Sequence, residues 1–208
     1  MLPTALQLQI VPPRLVTFGT VLLISAYGLL LVIPVLLAIV LVSLLHLSAL
    51  TFLLPLFAAA LTTYFLPLGF GNPYVVKLVR SLRPPEAELS NCFVAQITFV
   101  PRIRSGVRAL LEDADDIGWL SLSESELIFR GDSVRLSVPY SCIQRVKAEN
   151  IGWRGLFLYG PQSVVEVSGL SKASGLKLAE RSSWFLPDSR TKARQLQSCL
   201  AAKVKLRG

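Results

Sequence analysis

Charge is missing from the early part of this chain. From Leu15 to Val76 there is no Lys, Arg, Asp or Glu. Histidine is almost absent too, with His46 the single one in 208 residues. Cysteine is scarce: Cys92, Cys142 and Cys199 lie far apart. Each shortage excludes something. One histidine removes His-rich metal sites and most Ser-His machinery. Three separated thiols form no CxxC pair, and the odd number argues for reduced, buried cysteines in place of a disulfide framework. No Gly-rich phosphate loop occurs. The sequence therefore carries no catalytic signature, and neither an enzyme nor a cofactor is expected.

The uncharged stretch is rich in Leu, Val, Phe and Ala. A bilayer core of roughly 30 Å is crossed by about 20 apolar residues at 1.5 Å each. Residues 15–70 are therefore long enough for two spans and a tight turn. A cleaved signal peptide would show a basic n-region and a short apolar core, but no charge precedes Arg14 and the run is far longer. The most polar point is His46-Leu47-Ser48, which divides the run into helices near Val16–Leu44 and Ser48–Phe70. Pro34 and Pro55 fall inside these helices as kinks. A re-entrant hairpin that dips in and returns is the alternative.

Orientation follows from the flanks. Arg14 precedes the first span, and Lys77, Arg80 and Arg83 follow the second, while the turn has no Lys or Arg. The positive-inside rule then places both termini in the cytoplasm. Lys77, Arg80 and Arg83, three residues apart on the outgoing helix, become juxtamembrane contacts for anionic lipid, each contributing on the order of 1 kcal/mol. The sequence reads as an integral membrane protein, with a short segment at 1–14 and a basic Pro linker at 71–90.

Residues 71–208 hold 20 of the 21 basic and all 13 acidic residues, a net charge of +7. The domain proper starts at Asn91 and is long enough for its own core. Cys92–Val100 is strand-like. Arg102–Asp116 reads as a loop with a short helix. Trp119–Leu122, Glu126–Arg130 and Ser133–Val138 alternate apolar and polar residues, with Gly131-Asp132 as a two-residue primed turn. Further strands are expected at Ile143–Lys147, Gly155–Tyr159, Val164–Val167, Leu176–Glu180 and near Ser183–Phe185. The period then changes. Asp188 or Ser189 caps a helix over 188–206 whose apolar stripe is Ala193, Leu196, Leu200 and Val204. Many short antiparallel strands and one amphipathic helix make a small barrel with a helical plug.

Several of these segments have a familiar wording. Gly118-Trp119-Leu120-Ser121-Leu122-Ser123, Glu126-Leu127-Ile128-Phe129-Arg130-Gly131, Val138-Pro139-Tyr140 and Ile143-Gln144-Arg145-Val146 resemble the pleckstrin-homology (PH) superfold, in its bacterial PH and GRAM-like branches. The resemblance covers 118–167, with the closing helix from Asp188 in the corresponding place. It implies a PH-like antiparallel β-barrel at 91–208 capped by a C-terminal α-helix, which with the N-terminal transmembrane helical hairpin read from the apolar run makes a membrane-anchored α+β protein. A bacterial inner membrane is the location it implies. Lipid binders of that family carry basic residues in the first hairpin loop, a part that Arg102, Arg104 and Arg108 would take here.

Those three arginines are also candidates on chemistry alone, because guanidinium forks suit phosphate oxygens. Their alternative is pairing with Glu112, Asp113, Asp115 and Asp116. The acidic run itself is a poor calcium loop: Ile117 occupies a ligand position, and the segment after Gly118 alternates like a strand. Scattered basic residues without a recognition motif give no basis for nucleic-acid binding. The expected function is a non-enzymatic interaction domain, an adaptor at the cytoplasmic membrane surface. Its partners would be membrane lipids, through anionic headgroups, or a membrane protein. An accessory subunit of a membrane enzyme or transporter, or a purely structural subunit, is the alternative.

Overall fold

Alternation of inward and outward residues shapes the strands over 116–138. A computed structural model describes residues 6–12, 36, 39, 40, 42–45, 53, 57, 76, 77, 79–83, 91–103, 114–150, 161–170, 173–183 and 186–206. Eight strands form one antiparallel sheet: β1 Gln7–Ile10, β2 Cys92–Val100, β3 Asp116–Leu122, β4 Glu126–Gly131, β5 Val134–Pro139, β6 Ile143–Glu149, β7 Gln162–Val167 and β8 Gly175–Glu180. Their spatial order is β1-β5-β4-β3-β2-β8-β7-β6. Helix α1, Leu186–Lys205, follows the last strand.

The inner face carries the core. Phe93, Ile97 and Phe99 of β2, Leu120 of β3, Leu127 and Phe129 of β4, and Leu176 and Leu178 of β8 are almost wholly buried there. These positions are an even number of residues apart within each strand, as a one-sided sheet requires. Helix α1 lays Leu196 and Leu200 into the same core, and Ala193 is buried as well. It packs against β6, β7, β8 and the 3-10 turn Tyr140–Cys142. Lys203 and Lys205 in its last turn suit the negative end of the helix dipole.

The fold read from the sequence needs correction. The expected architecture is a PH-like or GRAM-like barrel on a transmembrane hairpin. Among the described residues the structure is mainly a β-sheet of eight strands followed by a C-terminal helix, and the ladder ends at β1 and β6 without closing. The eighth strand comes from the short segment at 1–14. Leu6 and Leu8 pack against the core while Gln7 and Gln9 face outward, a period-two pattern that gains its meaning only on pairing with distant β5.

The hairpin spans expected at 16–44 and 48–70 lie almost entirely outside the described residues. Within that run, Leu36, Ile39, Val40, Val42, Ser43, Leu44, Leu53 and Phe57 are helical. Among the described residues, no helix is long and apolar enough to cross a membrane. The transmembrane hairpin, the integral-membrane location and the cytoplasmic placement of both termini are therefore not carried forward. Composition alone satisfies hydropathy, whereas a crossing takes a helix of about 20 apolar residues, and the described residues contain none.

Smaller differences have local causes. The strand expected at Gly155–Tyr159 lies outside the described residues, as do residues 104–113 of the loop with a short helix expected over Arg102–Asp116, whose last residue, Asp116, opens β3. Ser183 is not in a strand. The reversal between β4 and β5 is not a Gly131-Asp132 turn, because Arg130 pairs with Arg135 and the chain turns over the residues between them. Helix α1 begins two residues before Asp188, so Asp188 and Ser189 sit in its first turn and not at the cap.

Candidate anion-binding face

The outer face of β1, β5, β4 and β3 is polar, and its rows follow from register. Gln9 pairs with Arg135, Arg135 with Arg130, and Arg130 with Trp119. One row beside it runs Gln7, Ser137, Ile128 and Ser121. Directly opposed side chains on one face have Cβ atoms about 5 Å apart. Two arginines are thus held as neighbours on an exposed surface. Among the described residues, neither makes a side-chain hydrogen bond or ion pair.

A third arginine reaches this face from a distant part of the chain. Residues Arg80–Leu82 form a 3-10 turn lying over the outer side of β2 and β3. Val76, Val79 and Leu82 pack there with Val94, Ile117 and Trp119. Trp119 Nε1 donates to the Val79 carbonyl at 2.7 Å. The Arg83 guanidinium lies 5.4 Å from the centroid of the Trp119 ring, a cation–π distance. The indole is thereby pinned at both its edge and its face.

Between this segment and the strands runs a groove of about 560 Å³. Arg83, Arg130 and Arg135 line it, with Gln7, Gln9, Ser81 and Ser137 as the remaining polar side chains. Among the described residues, no Asp or Glu lines it. The outward-facing carboxylate of β4, Glu126, accepts a hydrogen bond from Ser137 Oγ. A smaller groove of about 360 Å³ continues toward Val11, Pro12 and Asp132.

The residues singled out from sequence have different fates. Arg83 joins the groove. Lys77 and Arg80 are exposed on the same segment. Arg102 turns toward the acidic run: its Nε lies 3.7 Å from Asp115 Oδ1, and Nη2 donates to the Ala114 carbonyl at 3.2 Å. Arg104 and Arg108 lie outside the described residues, as does His46. Arg130 and Arg135 escaped attention because each strand, read alone, simply has an outward polar residue. The available signal was their equal distance from the centre of the β4–β5 turn, which places them opposite one another.

Asp115 and Asp116 are tied into the backbone. Asp115 Oδ2 accepts from the Phe99 backbone N–H at 2.7 Å. Asp116 Oδ2 accepts from the N–H groups of Ser133 and Val134 at 2.8 and 2.7 Å, which holds the turn carrying Arg135. Elsewhere, Glu180 is buried beneath the start of α1. Burial raises its pKa above the ordinary 4.5, opposed by hydrogen bonds from Ser182, the charge of Lys192 and a hydrogen bond from Ser189. On the far part of the sheet, Lys147 Nζ donates to Glu166 at 2.7 Å and lowers that carboxyl's pKa. Lys177 pairs with Glu149 at 2.7 Å. Among the described residues, no group of three His, Cys, Asp or Glu side chains is placed to hold a metal ion.

No protein-family model matches the chain, and no curated protein matches it.

Proposed function

We propose that this chain is a non-enzymatic interaction domain that binds anionic groups, foremost lipid headgroups, on the outer face of β1, β5, β4 and β3. The observation carrying this reading is the convergence of Arg83, Arg130 and Arg135 on a groove with no carboxylate among its described lining residues. Guanidinium forks match phosphate and carboxylate oxygens in geometry as well as charge. General acid–base catalysis draws on His, Glu, Asp, Lys, Tyr or Cys, and none of these is among the groove's described lining residues. The arrangement is therefore suited to holding charge and not to moving protons. Lys77 and Arg80, exposed beside Arg83, add attraction to an anionic surface.

A second reading has a specific observation behind it. Trp119 is partly exposed and stacked under Arg83, and Trp and Arg are the residue types that most often anchor protein interfaces. An acidic segment of a protein partner would use the same surface.

The test is co-sedimentation of the full chain with phosphatidylcholine vesicles, with and without phosphatidylserine. Binding that requires phosphatidylserine, weakens with salt and is lost in the triple variant Arg83→Glu/Arg130→Glu/Arg135→Glu is expected. Equal binding of wild type and variant to anionic vesicles would overturn the lipid reading.

A further inference from the structure

We infer that Arg130 and Arg135 form a clamp for one phosphomonoester dianion. The inference rests on the reading of this face as anion-binding and adds the ligand's chemistry. It begins from an energetic oddity. Like charges directly opposite on neighbouring strands destabilise a sheet. The pairing of Arg130 with Arg135 is fixed by register, and among the described residues no carboxylate offsets it. Neither side chain packs into the core or caps a backbone group, so folding draws no benefit from having both. An anion bound between them removes the repulsion.

Charge and valence then select the anion. A carboxylate has two oxygens in one plane, and one guanidinium fork satisfies it. It carries a single charge and leaves the second arginine unbalanced. A phosphodiester is likewise a monoanion. A phosphomonoester has three terminal oxygens and a charge of roughly −1.5 to −2 at neutral pH. Forks approaching from two sides, about 5 Å apart at Cβ, engage different oxygens of one tetrahedral group. Gln9, paired with Arg135 on the flank, brings a neutral amide donor. Arg83, stacked on the residue paired with Arg130, brings a third cation. The groove, about 560 Å³, also has room for the group that carries the phosphate.

The experiment is calorimetric titration of the full chain with phenyl phosphate, benzenesulfonate and benzoate. Phenyl phosphate is expected to bind at least about tenfold more tightly than either monoanion, as for charge-assisted hydrogen bonds gained or lost. Its affinity is expected to fall as pH drops through about 6, where the dianion takes up a proton, while benzenesulfonate binding changes little. Arg130→Gln and Arg135→Gln each weaken phenyl phosphate at least about tenfold. Both residues are exposed, so the melting temperature stays close to wild type. Arg130→Lys keeps the charge but lacks the fork and recovers only part of the affinity.

Equal affinity for phenyl phosphate and benzoate, or full recovery by lysine, would overturn the clamp while leaving a general anionic face intact. Anion binding unaffected by Arg130→Gln and Arg135→Gln would overturn both the clamp and the function it rests on. The source of the phosphate is read from vesicles. Wild type binding phosphatidic acid in phosphatidylcholine more strongly than phosphatidylserine, with the preference lost in Arg130→Gln/Arg135→Gln, identifies a lipid headgroup. Phenyl phosphate selectivity without that preference identifies a soluble ester, and the clamp stands.

Discussion

Gly118 and Gly131 face each other across β3 and β4, and neither has room for a methyl group. A Cβ on Gly118 would lie 2.2 Å from the Arg130 carbonyl oxygen and 2.5 Å from Gly131 Cα. A Cβ on Gly131 would meet Asp116 Oδ2 at 2.0 Å. The next pair along the ladder is Trp119 with Arg130, so this close approach sets the backbone beneath the candidate site. Gly118→Ala is expected to lower stability by about 3 kcal/mol, the upper part of the usual overpacking range. Urea unfolding would show it as a lower midpoint with an unchanged slope. Gly169 gives a contrast. Nothing would touch a Cβ there, but its φ of +88° disfavours any L side chain, so Gly169→Ala costs about 1 kcal/mol by strain alone.

Asp116 explains why the opposed arginines stay opposed. It accepts two backbone N–H groups from the β4–β5 turn. Asp116→Ala leaves buried donors unsatisfied and is expected to cost about 2–3 kcal/mol. Amide hydrogen exchange at Ser133 and Val134 should accelerate more than exchange in β7, because the loss is local to the turn. Equal acceleration in both strands would mean that Asp116 acts globally.

Trp119 ties the Arg80–Leu82 segment to the sheet. Trp119→Phe removes the hydrogen bond to Val79 but keeps an aromatic face under Arg83. A stability loss of about 1 kcal/mol is expected. The more specific readout is tryptic cleavage after Arg80, which should quicken as the segment detaches. Unchanged cleavage would show that the apolar contacts of Val79 and Leu82 hold the segment unaided.

Arg102 and the groove arginines should separate cleanly. Arg102→Ala removes a long ion pair to buried Asp115 and one hydrogen bond to Ala114, with the arginine itself a third exposed. The expected cost is about 1 kcal/mol, with phenyl phosphate affinity changed by less than about twofold, well under the tenfold of a lost charged hydrogen bond. Arg130→Gln should show the reverse pattern. Loss of phosphate binding in Arg102→Ala would move the site to the β2–β3 loop.

Two glutamates predict opposite pH dependence. The Glu180 pKa is raised by burial, so the native state binds its proton more readily than the unfolded chain. Its contribution is fully present below the ordinary value of 4.5 and is lost as pH rises through the higher native value. Relative to Glu180→Gln, wild type should therefore lose stability as pH rises over that window. The Glu166 pKa is lowered, chiefly by the Lys147 hydrogen bond. Its contribution is present above 4.5 and is lost as pH falls through the lower native value. Urea midpoints of Glu180→Gln and Glu166→Gln against pH, each compared with wild type, give the two slopes directly. Parallel curves would remove either residue from the account.

Features that depend on neighbours along the chain were legible before folding. Period-two alternation marks Glu126–Arg130 and the strand after it, and the stripe of Ala193, Leu196 and Leu200 marks the closing helix. Both patterns report which side of an element avoids water, and that information is local. Only the tertiary structure decided what depends on register and distant contact. It set Arg130 opposite Arg135, brought Gln9 alongside from before the apolar run, laid Arg83 on Trp119 and turned Arg102 toward Asp115. The apolar run is a matter of composition, and among the described residues no helix is long and apolar enough to cross a membrane. Pairing a strand with a partner many residues away is settled by the burial and hydrogen bonding of the whole sheet, which no window of sequence contains.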